Sequence, residues 1–423
     1  MKKIIYTLIM SVAVCLTTVS CNVLDQYPHN GVSRDNLTEE DLGLLHVGLY
    51  CYSQYKPQFE GYFQNDMAGG DFTRGGGSSF ATPELWIRDA ILPTSGWSST
   101  PWTGYYAWLY QVNEFITAAQ SKANNPDIRE MLGDAYFFRG LIYYNLVSKY
   151  KNVQILRKAT NEPIPNTTET EGWAFVEENL TNAINMCANF TNKNYVSVQA
   201  AKALMARTLL AQDRKSEAAD LAVELISYPS FQLEDFELIF RGGENKEEIF
   251  TFINSSEESG INFASQFYQP ATTYVPTREM IELYASTDKR MNISVWTDGD
   301  ETVLNKYNNI SSTNPIIITR LAEMYLIAAE GKGIAGGGLK YLNELRAKRG
   351  LAAVEAKNDT ELLTAVLHER RLEFLGEGFR WFDLVRTGRF TEELDLSQKY
   401  TVFPIPQRER DLNPNLAQNE LWK

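Results

Sequence analysis

HERRLEFLGEGFRWFDLVRTGRF, residues 368–390, and YTVFPIPQRERDLNPNLAQN, residues 400–419, begin and end the stretch that says most about the architecture. Glu369 and Glu373 lie one helical turn apart, and Arg380, Asp383 and Arg386 follow at three-residue intervals. Large apolar residues stand between these charges, too many for a solvated face: Leu372, Phe374, Leu375, Phe379, Trp381, Phe382 and Leu384.

Charged side chains in such apolar surroundings allow two interpretations. The arginine–glutamate pairs could be catalytic, or they could be ion pairs that must be matched because their surroundings are dry. We favour the second interpretation. Gly376 and Gly378 interrupt the helical pattern once, so the stretch predicts two short helices folded on each other.

The same stretch resembles the C-terminal signature of the SusD/RagB family, the nutrient-binding outer-membrane lipoproteins of the Bacteroidetes. The matching residues keep the family order: Glu369, Arg370, Glu373, Phe374, Glu377, Gly378, Arg380, Asp383, Leu384, Arg386, Gly388, Phe403, Pro404, Ile405, Pro406, Asn413, Pro414, Gln418 and Asn419. Earlier helices also resemble the family, through Trp102, Tyr106, Asn113, Ala135, Arg139, Tyr144 and Leu146. The resemblance covers nearly the whole chain after its first twenty residues.

The N-terminus reads as a targeting segment. MKKIIYTLIMSVAVCLTTVSC begins with two lysines, continues with a short apolar run and ends at Cys21. This pattern predicts a lipoprotein signal peptide over residues 1–20 and lipid attachment at Cys21. The apolar run is too short to indicate a membrane span.

Composition narrows the range of functions. The 423 residues carry a formal charge of −13, which becomes −15 when residues 1–20 are removed, because that segment holds two lysines and no acid. An acidic surface argues against nucleic acid and against anionic ligands drawn by long-range attraction. Two further cysteines, Cys51 and Cys187, do not form a disulfide framework and read as small buried residues.

Most of the chain shows helical periodicity. Helices are predicted over residues 38–55 and 127–150, with helix pairs over 197–228 and 320–349 and a further helix over 360–375. The pairs are loosely similar to tetratricopeptide repeats, in which neighbouring hairpins stack to bury a shared core.

Two irregular zones interrupt the helices. The first, residues 57–100, is rich in glycine and predicts a long functional loop that contains Asp66, Asp71, Arg74, Trp86 and Trp97.

The second zone, residues 249–310, contains a possible short strand and one arm of a hairpin, with Tyr268, Tyr274 and Trp296 among its aromatic residues. Neutral sugars stack on tryptophan and tyrosine, while polar side chains take the hydroxyl groups. Trp97 and Trp296 are therefore the leading candidates for stacking, with Asp71 and Arg74 as polar partners. Asp66, Trp86, Tyr268 and Tyr274 complete the set, although each aromatic residue could instead fill the core.

The sequence offers no recognisable catalytic constellation. The histidines, His29, His46 and His368, have no ligand or nucleophile at useful spacing, so we predict neither a metal site nor a cofactor. Asp66 and Asp71 form the one carboxylate pair worth testing for glycoside hydrolysis. We predict a binding protein and no enzyme.

The sequence thus predicts a mostly α-helical, SusD-like bundle of tetratricopeptide-like helix pairs, with loop-rich ligand-binding regions and a little β structure. One domain is expected over residues 21–423. Its four parts are the N-terminal tether, helix and first variable loop (21–100), the helical repeats (101–248), a second variable region (249–319) and the C-terminal helical pair with the family signature (320–423). The resemblance implies a lipid-anchored protein that faces the cell exterior on the outer membrane. It also implies an oligosaccharide ligand and a SusC-like TonB-dependent transporter as partner.

Two other functions fit the same sequence. A RagB-like member would capture oligopeptides through groups that pair with a peptide backbone. A purely helical scaffold would bind only protein, and its aromatic zones would be buried.

Overall fold

The structure, a computed structural model, describes residues 37–53, 64–76, 83–241, 243–254, 263–268, 274–298, 301–310 and 313–423. The predicted signal peptide and Cys21 lie outside these ranges. Helices dominate the described residues, and the strands among them are short. The predicted fold class, a mostly helical SusD-like bundle with a little β structure, is confirmed.

In chain order the helices are α1 Glu39–Ser53, α2 Pro83–Ala90, α3 Gly96–Ala119, α4 Pro126–Tyr150, α5 Glu169–Met186, α6 Val198–Ala211, α7 Lys215–Ile226, α8 Phe236–Phe240, α9 Phe263–Phe267, α10 Arg278–Glu282, α11 Met291–Ser294, α12 Leu321–Lys332, α13 Gly338–Lys348, α14 Asp359–Glu373, α15 Arg380–Arg386, α16 Phe390–Leu394 and α17 Gln407–Leu412. The strands are β1 Phe72–Arg74, β2 Glu248–Phe252, β3 Tyr274–Pro276, β4 Val295–Asp298, β5 Glu301–Leu304 and β6 Ile316–Arg320.

The predicted helices are confirmed as α1, α4, the pairs α6–α7 and α12–α13, and α14. At the start of α1, the Asp41 amide donates to Thr38 Oγ1 at 3.1 Å and the Thr38 amide donates to Asp41 Oδ2 at 2.8 Å. This exchange satisfies two backbone groups that a helix start leaves open. Because α4 packs on α5, α6 on α7 and α12 on α7 and α13, each hairpin buries its apolar face against a neighbour.

The strands form three antiparallel two-stranded ribbons: β1 with β3, β2 with β6, and β4 with β5. Every residue of β2 and β6 is buried, so this ribbon belongs to the core. β3 also lies against β5, which brings the other two ribbons together. The short strand and the hairpin that the sequence indicated in the second zone are therefore present.

The first irregular zone is more ordered than predicted. Within its described residues, α2 occupies 83–90 and α3 begins at Gly96, five residues before Pro101. Ser95 caps α3, since its side chain accepts a 3.1 Å hydrogen bond from the Trp97 amide. The prediction of a loop through residue 100 was wrong for these residues because the nearby glycines obscured two short helical signals.

The C-terminal signature centres on a buried ion-pair network. The Glu373 carboxylate accepts hydrogen bonds from Arg290 Nη1 at 2.8 Å, Arg320 Nη1 at 2.6 Å and Arg349 Nη2 at 2.7 Å. Glu247 accepts from Arg320 at 3.0 Å and from Arg349 at 2.7 Å. The interpretation as matched structural charges is confirmed, with partners drawn from distant parts of the chain.

This network shifts the pKa of its members. Burial alone would raise the pKa of Glu373, but Arg349, Arg320 and Arg290 hold it well below the usual range. Burial lowers the pKa of Lys306 to about 8, against the opposing effect of Glu377. Gly376, at φ 79°, turns the chain between α14 and α15, as the sequence predicted.

Candidate functional site

Trp296 is the candidate residue whose ring is most available. It lies on β4, opposite Val303 of β5, and 46 % of the residue is exposed. The preceding Val295 is buried in the core, whereas Trp296 and the following Thr297 are exposed. The protein contains eight tryptophans, all within the described residues, and Trp296 alone among them is exposed.

Tyr268 stands beside Trp296. Their ring centroids are 6.2 Å apart and their planes meet at 42°, and Tyr268 is half-buried at the end of α9. The two rings come from segments almost thirty residues apart in the chain. Together they form an aromatic surface, which we call the Trp296–Tyr268 pair, of the kind that packs against the apolar face of a sugar ring.

Arg241 supplies a cation near this pair that sequence reasoning missed. Its Nη1 donates to the Lys306 carbonyl oxygen at 3.2 Å. Partial burial lowers the pKa of the guanidinium, while the nearby Glu237 carboxylate acts in the opposite direction. No local pattern marked Arg241, because its proximity to Tyr268 arises only in the folded chain.

Trp97 and Trp86 form a second aromatic group. Their ring centroids are 6.0 Å apart in an edge-to-face arrangement. Trp86 is fully buried in α2, and Trp97 is half-buried against the core. Trp86 therefore presents no ring face to a ligand, which corrects its place in the candidate set.

Asp66 and Asp71 are also buried, and both serve the fold. Asp66 accepts hydrogen bonds from the backbone amides of Gly376, Gly378 and Arg380, at 2.8, 3.1 and 3.2 Å. Asp71 accepts a 2.6 Å bond from Arg371 Nε. Both carboxylates are bound by these protein donors and have no exposed surface for a sugar hydroxyl. The prediction that Asp66 and Asp71 contact the ligand is therefore corrected.

Burial and the neighbouring Asp71 charge raise the pKa of Asp66 to about 8. Burial also raises the pKa of Asp71, against the opposing charges of Arg371 and Arg380.

Arg74 and Tyr274 are paired in register on β1 and β3, with opposite exposure. Arg74 is exposed, whereas only 1 % of Tyr274 is exposed. Tyr274 is thus a core residue, and its prediction as a ligand contact is corrected. The β1–β3 ribbon, which carries Arg74, adjoins β5. Strand β5 pairs with β4, the strand that carries Trp296. The exposed candidates Trp296 and Arg74 and the half-buried Tyr268 therefore belong to adjoining elements.

The described residues also bear on two other kinds of site. They contain no group of three or more histidine, cysteine, aspartate or glutamate side chains arranged to hold a metal ion. Within the same residues, no helix is both long enough and apolar enough to cross a membrane.

Comparison with known families identifies the class of protein. A model described as the SusD family matches residues 143–401, and one described as starch-binding associating with outer membrane matches residues 23–210. The first match covers more than half of the chain, which therefore belongs to the SusD family.

Individual relatives agree with this assignment. SusD-like protein P38 of Formosa agariphila is 24 % identical over 99 % of this chain and 99 % of that protein. The starch-binding protein SusD of Bacteroides thetaiotaomicron is 34 % identical over 26 % of this chain and 22 % of that protein.

Solved structures show the same fold. A SusD superfamily protein from Bacteroides vulgatus aligns with a TM-score of 0.81 at 18 % identity, over 91 % of this chain and 99 % of that chain. A laminarin-binding SusD-like protein aligns with a TM-score of 0.78 at 22 % identity, over 90 % and 99 %. Surface glycan-binding protein A from Bacteroides uniformis gives 0.77 at 22 %, over 91 % and 100 %.

Proposed function

We propose that this protein is a cell-surface glycan-binding lipoprotein of the outer membrane. It captures oligosaccharide and passes it to a SusC-like TonB-dependent transporter, and it breaks no bond in doing so. One domain over residues 21–423, anchored through a lipid on Cys21, forms part of the proposal.

The observation that carries the proposal is the exposure of Trp296 beside Tyr268. Exposing 46 % of a tryptophan to water is unfavourable unless a partner covers the ring. The short β4–β5 hairpin fixes the backbone beneath it, so the ring is held ready for stacking at little entropic cost. Arg74, on a ribbon that adjoins β5, is the exposed polar residue that we propose donates to the hydroxyl groups of the ligand.

The names of related proteins support a glycan as the ligand and the outer membrane as the location. One matching family model is described as starch-binding associating with outer membrane. Relatives include the starch-binding protein SusD, and proteins of the same fold include one that binds laminarin and one described as a surface glycan-binding protein.

The test is calorimetric titration of the purified chain with neutral oligosaccharides, including maltooligosaccharides and laminarioligosaccharides, and with a panel of oligopeptides. We expect one glycan class to bind. Trp296→Ala should weaken that binding by about tenfold or more, because the stacked ring is removed. Trp296→Phe should restore part of the affinity, since a smaller aromatic face remains.

Tyr110→Ala is the matched control. Tyr110 is an aromatic residue of α3 that is 51 % exposed, so its replacement removes a similar surface from a different element. Its variant should bind glycan like the natural chain. Full glycan affinity in Trp296→Ala would refute the proposed site. Binding of peptides alone would transfer the protein to the RagB-like function.

A further inference from the structure

A cavity of about 250 Å³ lies between α4, α6 and α15, on elements other than those that carry the Trp296–Tyr268 pair. Its apolar walls are the rings of Tyr144, Trp173, Phe379 and Phe382. Its depth and aromatic lining suit a small ligand with an apolar body.

Positive charge dominates the lining of this cavity. Lys151, Arg207, Arg370 and Arg386 contribute to it, whereas Asp383 is the one acidic residue among the lining side chains. The other carboxylates that pair with these cations, those of Glu169, Glu323 and Glu330, are not part of the lining. The lining side chains thus include four cations and one carboxylate, and each cation is paired with a carboxylate.

Arg370 is the least satisfied of these cations. Its side chain is 3 % exposed, and its Nε donates to Asp383 Oδ2 at 2.7 Å. Its Nη1 is buried and has no hydrogen-bond acceptor among the described residues. The guanidinium instead lies over the rings of Phe374 and Phe379, with Cζ 5.1 and 5.4 Å from their centroids.

The acceptor that Arg370 does have is shared. Asp383 Oδ1 accepts a 2.9 Å bond from Arg386 Nε, and Arg386 also donates to both oxygens of Glu330. Asp383 thus divides its single charge between two guanidinium groups. A buried guanidinium nitrogen without an acceptor is costly, and a carboxylate is the group that best complements its planar donors.

We propose that this cavity binds a small monocarboxylate with an apolar body. The carboxylate accepts hydrogen bonds from Arg370, and the body packs among the rings of Tyr144, Phe379 and Phe382. The site is independent of glycan capture, because none of its lining residues belongs to the β4–β5 hairpin.

The experiment is thermal unfolding and calorimetry of the full chain with sodium benzoate as the probe and benzyl alcohol as its neutral match. Benzoate should bind and raise the unfolding temperature, and benzyl alcohol should bind at least about tenfold more weakly, since it offers no planar pair of acceptors. Equal binding of the two probes, or absence of benzoate binding at millimolar concentration, would overturn the proposal.

Two variants locate the binding. Ala211→Trp fills the cavity from α6 and should abolish benzoate binding, whereas the control Ala347→Trp, at an exposed position of α13, should retain it. Arg370→Lys keeps the charge but removes the planar donors, and should weaken benzoate about tenfold. Benzoate affinity unchanged in a folded Ala211→Trp chain would refute the site. If neither cavity variant folds, the comparison of the two probes on the natural chain decides.

Discussion

The Arg349 guanidinium donates a 2.7 Å hydrogen bond to the Glu373 carboxylate, although both side chains are entirely buried. Such a pair is held in place because each charge would be severely penalised without the other. Arg290 and Arg320 contact the same carboxylate, so the loss of Glu373 would remove one shared partner from three buried cations at once.

Glu373→Gln is therefore expected to lower the free energy of unfolding by about 3–5 kcal/mol, because it removes a buried charge that three buried guanidinium groups share. Urea unfolding followed by circular dichroism measures this loss. The control is Glu282→Gln, which breaks an exposed pair with Arg278 and should have little effect on the free energy of unfolding. Equal costs for the two variants would contradict the structural role assigned to the network.

Asp66 should give the protein a stability that falls as pH rises. The pKa of Asp66 is about 8 in the folded chain, whereas the pKa of an aspartate in an unfolded chain is about 4. Between these two pKa values, the folded chain holds a proton that the unfolded chain has released. The contribution of Asp66 to the free energy of unfolding is therefore greatest at low pH and is lost as the pH rises through the folded-state pKa.

Asp66→Asn should flatten that part of the pH dependence, measured as the unfolding free energy at pH 5 and pH 8. Asp89→Asn, at an exposed position of α2, is the control and should leave the dependence unchanged. The same change between the two pH values in Asp66→Asn and the natural chain would count against a protonated Asp66.

Trp97→Ala should affect stability and leave glycan binding unchanged. Trp97 is half-buried against Trp86 and the core, so its removal should cost about 2 kcal/mol. Trp296→Ala should cost less than Trp97→Ala, because Trp296 is 46 % exposed and Trp97 packs against the core. Denaturant unfolding and glycan titration of both variants separate the two roles, and loss of glycan affinity in Trp97→Ala would restore Trp97 to the site.

Gly331→Ala tests the close packing of α12 on α7. An added Cβ would lie 2.2 Å from the Lys215 carbonyl oxygen, which is backbone and cannot move aside cheaply. We expect a loss of about 2 kcal/mol or more, from the overpacking it forces. At Gly43 in α1 nothing lies within 4 Å of the added atom, so Gly43→Ala should stabilise by about 0.5–1 kcal/mol. Thermal unfolding of both variants checks the contrast.

Sequence reasoning predicted the helices well, because their signals are local. Thr38 and Asp41 mark the start of α1 three residues apart, and alanine and leucine at helical spacing mark the α6–α7 pair. Trp86 was predicted to lie in a functional loop because the helical signal around it is weak. The eight residues of α2 carry a short amphipathic pattern that the neighbouring glycines outweighed.

The candidate site was harder to predict because its parts meet only through the fold. The sequence nominated Trp296 and Tyr268 separately but could not show that their rings are neighbours. Burial of Trp86 and Tyr274 depends on packing against distant elements, which residue spacing does not reveal. The three backbone amides that donate hydrogen bonds to the Asp66 carboxylate lie some 310 residues further along the chain.

The Asp66 contacts also constrain how the chain reaches its native state. The acceptor is near the N-terminus, and its donors, the amides of Gly376, Gly378 and Arg380, belong to the last eighth of the sequence. Until those residues have been synthesised, the N-terminal region holds a carboxylate without its partners and cannot complete its core. Chains truncated before Gly376 lack these donors, so we expect proteases to cleave their N-terminal region more readily than that of the full chain.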